Sequence, residues 1–208
     1  MKLLILGATG PTGRHVVDLA LAAGDTVTAL ARRPRALDEL AGRVTVVAGD
    51  ATSRDDVANA MTGQDAVISA LGRSTSVRAD DLFTRAATAA TGAAEETGVT
   101  RLVWLSSFGV GDTFRSASVL QKAMYRTFLR NIYANKELAE RTIRSSGLDW
   151  TLVYPTMLTR NPAKGTYTVG ERLPMKGNPS ISRADVADFL FKAAHSPEWI
   201  HKEAVVTD

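Results

Sequence analysis

The chain has no cysteine in its 208 residues, so disulfides, thiolate nucleophiles and cysteine-held metals are excluded at the outset. It also lacks any apolar run of about 18 residues, the length a membrane-spanning helix requires. The apolar stretch behind Met1 is too short for the core of a signal peptide. A strong charge imbalance is missing as well. With 25 basic and 22 acidic residues the formal balance is +3, whereas a nucleic-acid binder gathers Lys and Arg on one face. His15, His195 and His201 have no spacing that suits metal ligation and read as surface or packing residues. Internal repeats, low-complexity tracts and linkers are absent too. These absences leave a cytoplasmic enzyme or regulator, with neither membrane nor nucleic acid as partner, in a single domain over residues 1–208.

What is present is alternation. Short apolar runs rich in Val, Leu and Ile fall at Lys2–Leu6, Thr26–Ala31, Val44–Ala48, Ala66–Ala70, Leu102–Leu105 and Thr151–Tyr154. Their length and continuity predict parallel strands buried on both faces. Between them, residues 11–23 place Val16, Val17, Leu19, Ala20 and Ala23 on one side, and residues 80–97 are rich in Ala and Thr. Residues 118–146 make the longest helical stretch, with Gly147 as its C-cap. Further on, Thr166–Val169 alternate like a hairpin strand, and turn residues gather at Gly170, Pro174, Gly177, Asn178 and Pro179. Ser182 followed by Asp185 approximates a capping box for a helix over 184–194, ahead of a last strand at Ala204–Thr207. The expected fold is α/β: one doubly wound parallel-sheet Rossmann domain with a small C-terminal loop, hairpin and helix extension. A substrate site would then be assembled from loops.

The first turn carries the strongest signal, Gly7-Ala8-Thr9-Gly10-Pro11-Thr12-Gly13, placed just after a buried strand and opening a helix. Gly7 permits the tight turn, Gly10 lets the backbone approach a pyrophosphate, and Gly13 allows close packing of the helix. A pyrophosphate there meets free N–H groups and the positive end of the helix dipole. The second strand ends in Ala31-Arg32-Arg33-Pro34-Arg35, where an NAD-binding fold has Asp or Glu for the ribose 2′-hydroxyl. An arginine fork suits a 2′-phosphate, so NADP(H) is preferred, with NAD(H) possible. Gly49-Asp50-Ala51 after the third strand and Ser69-Ala70-Leu71-Gly72 at the fourth lie at strand ends where such sheets bind ligands. There, a carboxylate at Asp50 suits the adenine amino group.

Together with Leu105-Ser106-Ser107, Lys136-Glu137-x-x-Glu140, Ser146-Gly147-Leu148-Asp149-Trp150-Thr151, Gly165-Thr166-Tyr167-Thr168-Val169 and Ile181-Ser182-Arg183-Ala184-Asp185, these motifs cover nearly the whole chain. The pattern resembles the atypical short-chain dehydrogenase/reductases, the NAD(P)H-binding NmrA-like group, and most of all the flavin reductase/biliverdin-IXβ reductase type. That resemblance implies that Gly7 to Gly13 bind pyrophosphate and that Arg32, with Arg33 or Arg35, meets the 2′-phosphate. It implies Asp50 at adenine and Leu71, Gly72, Arg73 and Ser74 along the cofactor. Pro155 and Thr156 would flank the nicotinamide, with Ser106 or Ser107 near the reactive ring. Lys136 matches the family's lysine, although with Glu140 at i+4 it reads equally as a solvated surface pair.

Two features of the related enzymes are missing. There is no Tyr-x-x-x-Lys; Tyr133 and Lys136 are three apart, as are Lys122 and Tyr125, and a helical Tyr is more often a packing residue. The His that follows the strand-end proline in flavin and biliverdin reductases is replaced by Thr156-Met157. Hydride transfer to a flavin or quinone does not strictly require a protein acid, because the cofactor carries the hard chemistry and solvent can supply protons. The expectation is therefore an NADPH-dependent reductase of a small conjugated acceptor, monomeric or homodimeric. The alternative is a redox-sensing regulator that binds NAD(P)H without turnover.

Overall fold

The computed structural model describes residues 1–72, 81–111, 113, 130–175 and 177–208. Its elements run β1 (Lys2–Leu6), α1 (Pro11–Ala22), β2 (Thr26–Ala31), a 3-10 helix (Pro34–Leu40), β3 (Thr45–Ala48), α2 (Arg54–Met61), β4 (Ala66–Ser69), α3 (Leu82–Thr97) and β5 (Arg101–Leu105). They continue with α4 (Arg130–Arg144), β6 (Asp149–Pro155), β7 (Met157–Thr159), β8 (Thr168–Gly170), β9 (Ser180–Ser182), α5 (Arg183–His195), a short 3-10 turn (Pro197–Trp199) and β10 (Lys202–Thr207). The main sheet has the order β3-β2-β1-β4-β5-β6-β10-β8. All neighbours are parallel except β8, which runs antiparallel to β10. This is the doubly wound Rossmann-like fold, and its strand order reverses between β1 and β4, where such sheets bind ligands.

Strand alternation divides the core into two layers. Leu4 and Leu6 of β1 face α2, α3 and α4, packing with Val57, Phe83, Ala90, Ala139 and Ile143. Leu3 and Ile5 face the other way, toward Val16, Val17, Phe189 and Leu190 of α1 and α5. Alanines at 86, 87, 89, 90, 93 and 94 let α3 sit flat on the sheet.

Several local expectations change. The helix expected over 118–146 is α4, Arg130–Arg144; residues 118–129 lie outside those described. Its end comes before Gly147, which has no positive φ and so is not a left-handed cap; Ser145 N–H instead donates to Arg141 O at 3.0 Å. The strand expected at Thr166–Val169 runs Thr168–Gly170 and takes its partner from β10. Ser182 does cap α5, accepting from Asp185 N–H at 3.0 Å. The Asp185 carboxylate does not complete a capping box, however, because it accepts from Lys164 and Gly165 N–H at 3.0 Å each. The small parallel β7–β9 sheet has no counterpart among the expected elements.

Candidate active site and cofactor cleft

The carboxyl ends of β1, β4, β5 and β6 lie side by side in the sheet and gather most of the singled-out residues on one rim. At the end of β1, Gly7 has φ +87° and lies so close to β4 that a Cβ there would be 2.8 Å from Ala70 O. A Cβ at Gly13 would lie 2.8 Å from the carbonyl carbon of Gly7 and closer still to its oxygen. Helix and turn are thus in backbone contact, and Gly10 N–H donates to Gly7 O at 2.9 Å. Thr9 and Pro11 are exposed, while Thr12 and Gly13 are buried.

The start of α1 differs from those of α2, α3 and α5. It has no side-chain cap, no acidic residue in its first turn, and Pro11 at the position whose N–H would be unsatisfied anyway. By contrast, α2 and α5 open with the serine caps Ser53 and Ser182 and with acidic first turns. At α3 the Phe83 and Thr84 N–H groups donate to the Asn135 side chain, at 3.0 and 3.4 Å. The α1 N-terminus is therefore left open toward an anion, and the absent Cβ atoms leave backbone as its surface.

Beyond β2, Arg32, Arg33 and Arg35 are all exposed. Their loop is pinned by Arg14, which donates to Ala36 O at 2.6 Å and pairs with Glu39. Arg14 was not singled out from the sequence, although its place directly after Gly13 puts it in reach of this loop. Burial by itself would raise the Asp50 carboxyl. Hydrogen bonds from Thr52 N–H and Oγ1, both 2.9 Å, and the nearby Arg32 and Arg85 charges hold it below its ordinary value. Arg85 of α3 thus joins Arg32 at Asp50, which spacing along the chain gave no means to foresee. Ala51 is buried among the α2–α3 core residues.

Ala70 N–H continues the ladder to Leu6 O at 2.8 Å, Leu71 is half-buried against the core, and Gly72 is exposed. Arg73 and Ser74 lie outside the described residues, as do Lys122 and Tyr125. Pro155 O accepts from Phe108 N–H at 3.0 Å. Thr156 is buried and turned toward β10: its N–H meets Val206 O at 3.1 Å and its hydroxyl meets Thr207 at 3.0 Å.

Ser106 and Ser107 follow β5 with opposite connections. The buried Ser106 hydroxyl donates to Glu140 Oε1. The half-buried Ser107 hydroxyl accepts from Lys136 Nζ at 2.7 Å. Lys136 is 7% exposed, which excludes the solvated surface pair, and its ammonium also lies 4.8 Å from the centre of the Phe83 ring. Burial pushes it down to about 8, against the opposing pull of Glu140. Tyr133, three residues before, donates its phenol to Phe108 O at 3.1 Å rather than joining this pair. Glu140 is completely buried, and burial raises its carboxyl despite hydrogen bonds from Ser106, Tyr154 and Arg144.

The histidines lie elsewhere. His195 is 2.9 Å from Asp25, His201 is hydrogen-bonded to Leu148 O at 3.0 Å, and His15 is exposed. Among the described residues no three His, Asp or Glu side chains converge to hold a metal, and no helix is long and apolar enough to cross a membrane.

The model of the NAD(P)H-binding family matches residues 7–197, from the first glycine of the turn to just past the end of α5. This chain belongs to that NAD(P)H-binding family. Among solved structures, the anaerobilin reductase ChuY of Escherichia coli O157:H7 superposes with a TM-score of 0.83 at 27% identity, covering 99% of this chain and 96% of that one. Isoflavone reductase of Pisum sativum is 26% identical over 97% of this chain and 68% of its own length. A short-chain dehydrogenase/reductase of Veillonella parvula, solved in complex with NADP, shares the fold at a TM-score of 0.79 and 19% identity, covering 100% of this chain and 94% of that one. The chain is thus of an NAD(P)H-binding oxidoreductase family with reductases among its relatives.

Proposed function

We propose that the protein is an NADPH-dependent reductase of a small conjugated acceptor, such as a flavin or a quinone-like compound. The observation that carries this reading is the buried Lys136 ammonium donating to Ser107 at 2.7 Å, two strands across the rim from the glycine turn. In this reading Gly7, Gly10 and Gly13, with Thr9, Pro11 and Thr12 around them, hold the pyrophosphate at the open helix start. Arg32, with Arg33 and Arg35, takes the 2′-phosphate and sets NADPH ahead of NADH. Asp50 and Ala51 border adenine; Ala70, Leu71, Gly72, Arg73 and Ser74 line the cofactor; Pro155 and Thr156 border the nicotinamide. The NADP complex of the Veillonella protein supports the choice of cofactor.

When bound, NADPH supplies the hydride and leaves as NADP⁺. The chain supplies position and a proton. Because Ser107 accepts from Lys136, its own proton is left to serve the acceptor. As negative charge grows there, Ser107 gives up that proton, Lys136 replaces it on Oγ, and the amine recovers one from solvent. Ser106, whose proton is committed to Glu140, supports the pair from behind. The test is NADPH consumption with a panel of flavins and quinones, with turnover above background expected for at least one. Binding without any turnover would overturn the reductase reading in favour of a redox-sensing regulator, which the missing Tyr-x-x-x-Lys also favours.

A further inference from the structure

Behind the Lys136–Ser107 pair lies a buried polar array that hydride transfer itself does not require. Its centre is Glu140, one helical turn after Lys136 and with no exposed surface. Each carboxylate oxygen is engaged: Oε1 by the Ser106 hydroxyl, and Oε2 by Tyr154 at 2.9 Å and Arg144 at 3.0 Å. Arg144 continues to Tyr154 at 2.8 Å and to Glu203 of β10 at 2.7 Å. One side chain thus ties α4 to the ends of β5 and β6 and, through Arg144, to β10. A helix–sheet clamp alone would be cheaper to build from apolar residues, since a buried charge is stabilising only when fully partnered.

We propose that Glu140 is a positioning residue of the reduction: its carboxylate fixes Ser106 and stands one helical turn along α4 from Lys136, the group that Ser107 draws on. The proposal rests on the reductase reading, which gives Lys136 and Ser107 the proton transfer. Ser106 and Ser107 are consecutive, so anchoring the first sets the backbone from which the second meets Lys136. The Glu140 charge matters because, among the described residues, the other direct contacts of Lys136, the Phe83 ring and the Ser107 hydroxyl, are uncharged. Among the described residues, the titratable and charged groups nearby are Asp81 and Arg85 at the start of α3, Tyr133, Glu140 and Arg144 on α4, Tyr154 on β6 and Glu203 on β10. Asp81 is engaged by Asn135 at 3.3 Å, and Arg144 is shared between Glu203 and Glu140; of these carboxylates Glu140, one helical turn along α4, is the one that acts on Lys136.

The experiment compares wild type, Glu140→Gln and Glu140→Asp, each carrying ¹³C-labelled lysine, and follows the Lys136 ε-carbon by NMR as pH is raised. Removing the charge is expected to move the Lys136 midpoint down by about one pH unit. The alkaline limb of kcat should move with it, and Glu140→Asp should restore most of both. Should Glu140→Gln fail to fold, Glu140→Asp still carries the test through a smaller displacement in the same direction. A folded Glu140→Gln whose Lys136 midpoint and pH limb stay at the wild-type values would overturn the inference. The NMR readout needs no turnover, so the two readings fail separately. A midpoint that moves in a protein turning over no acceptor would sink the reductase reading while leaving the charge coupling intact.

Discussion

Replacing Lys136 with methionine is expected to leave the fold at least as stable while removing the reduction. Burial brings the ammonium down from its ordinary 10.5 to about 8, which corresponds to about 3 kcal/mol held against the charged form. Methionine has a similar length, fills the same space and packs well against the Phe83 ring. The loss is the hydrogen bond to Ser107, worth about 1 kcal/mol, while Glu140 keeps its 3.0 Å contact with Arg144. The balance near neutral pH is a gain of about 1–2 kcal/mol, which raises Tm by several degrees in a chain of this size. The sign with pH follows from the lowered folded-state value. Between about 8 and 10.5 the unfolded chain holds a proton that the folded chain has released, so wild-type stability climbs through that window. The advantage of the methionine variant is therefore largest below pH 8 and fades toward pH 10.5. Urea unfolding at three pH values, with NADPH turnover on the same samples, measures both effects. Turnover should fall about 100-fold or more. A variant that loses more than about 1 kcal/mol at neutral pH with an unchanged m-value would show that Lys136 is a structural tie. Full activity would show that it is not the proton source.

Further outcomes follow from the same geometry. Gly13→Ala sets a Cβ against the Gly7 carbonyl; NADPH affinity should drop at least about tenfold with a loss of stability, checked by titration and thermal melting. Wild-type affinity in that variant would refute the backbone-contact account of the turn. Tyr133→Phe removes the 3.1 Å phenol bond to Phe108 O and leaves the Lys136–Ser107 bond in place, so kcat should change less than about threefold; a hundredfold loss would restore a shifted Tyr–Lys dyad. Asp185→Asn weakens the tie to Lys164 and Gly165 N–H and should cost about 2 kcal/mol at pH 7. Burial raises the Asp185 carboxyl, but those backbone bonds and Ser182 hold it below 3.8. Its contribution is therefore present above 3.8 and lost as pH falls through the lowered value, and the gap between wild type and variant should close there in acid unfolding.

The sequence reveals those parts of the molecule that depend on neighbours along the chain. Gly7 and Gly13 stand out because a fixed spacing puts two backbones in contact that no side chain could separate. The two apolar layers follow from runs such as Leu3-Leu4-Ile5-Leu6, in which alternate residues serve opposite faces. Ser182 signals the start of α5 because its hydroxyl meets an N–H three residues on. The rest depends on residues far apart. Asn135 closes the start of α3 across 52 positions, and Arg144 reaches Glu203 across 59. Lys136 at i, i+4 from Glu140 gives the same pattern whether the pair lies in solvent or in the core; only the packing of α4 against α3 and the sheet makes it buried. Asp185 likewise shows a cap's spacing, while its carboxylate serves a loop about 20 residues upstream.

The most direct measurement is fluorescence titration of wild type and Arg32→Ala with NADPH and with NADH. The account predicts tighter binding of NADPH by the wild type, a loss of about tenfold or more for NADPH in the variant, and little change for NADH. Equal affinity for both cofactors, untouched by the substitution, would contradict the NADPH assignment. Absence of binding by either would contradict the glycine turn as a cofactor site.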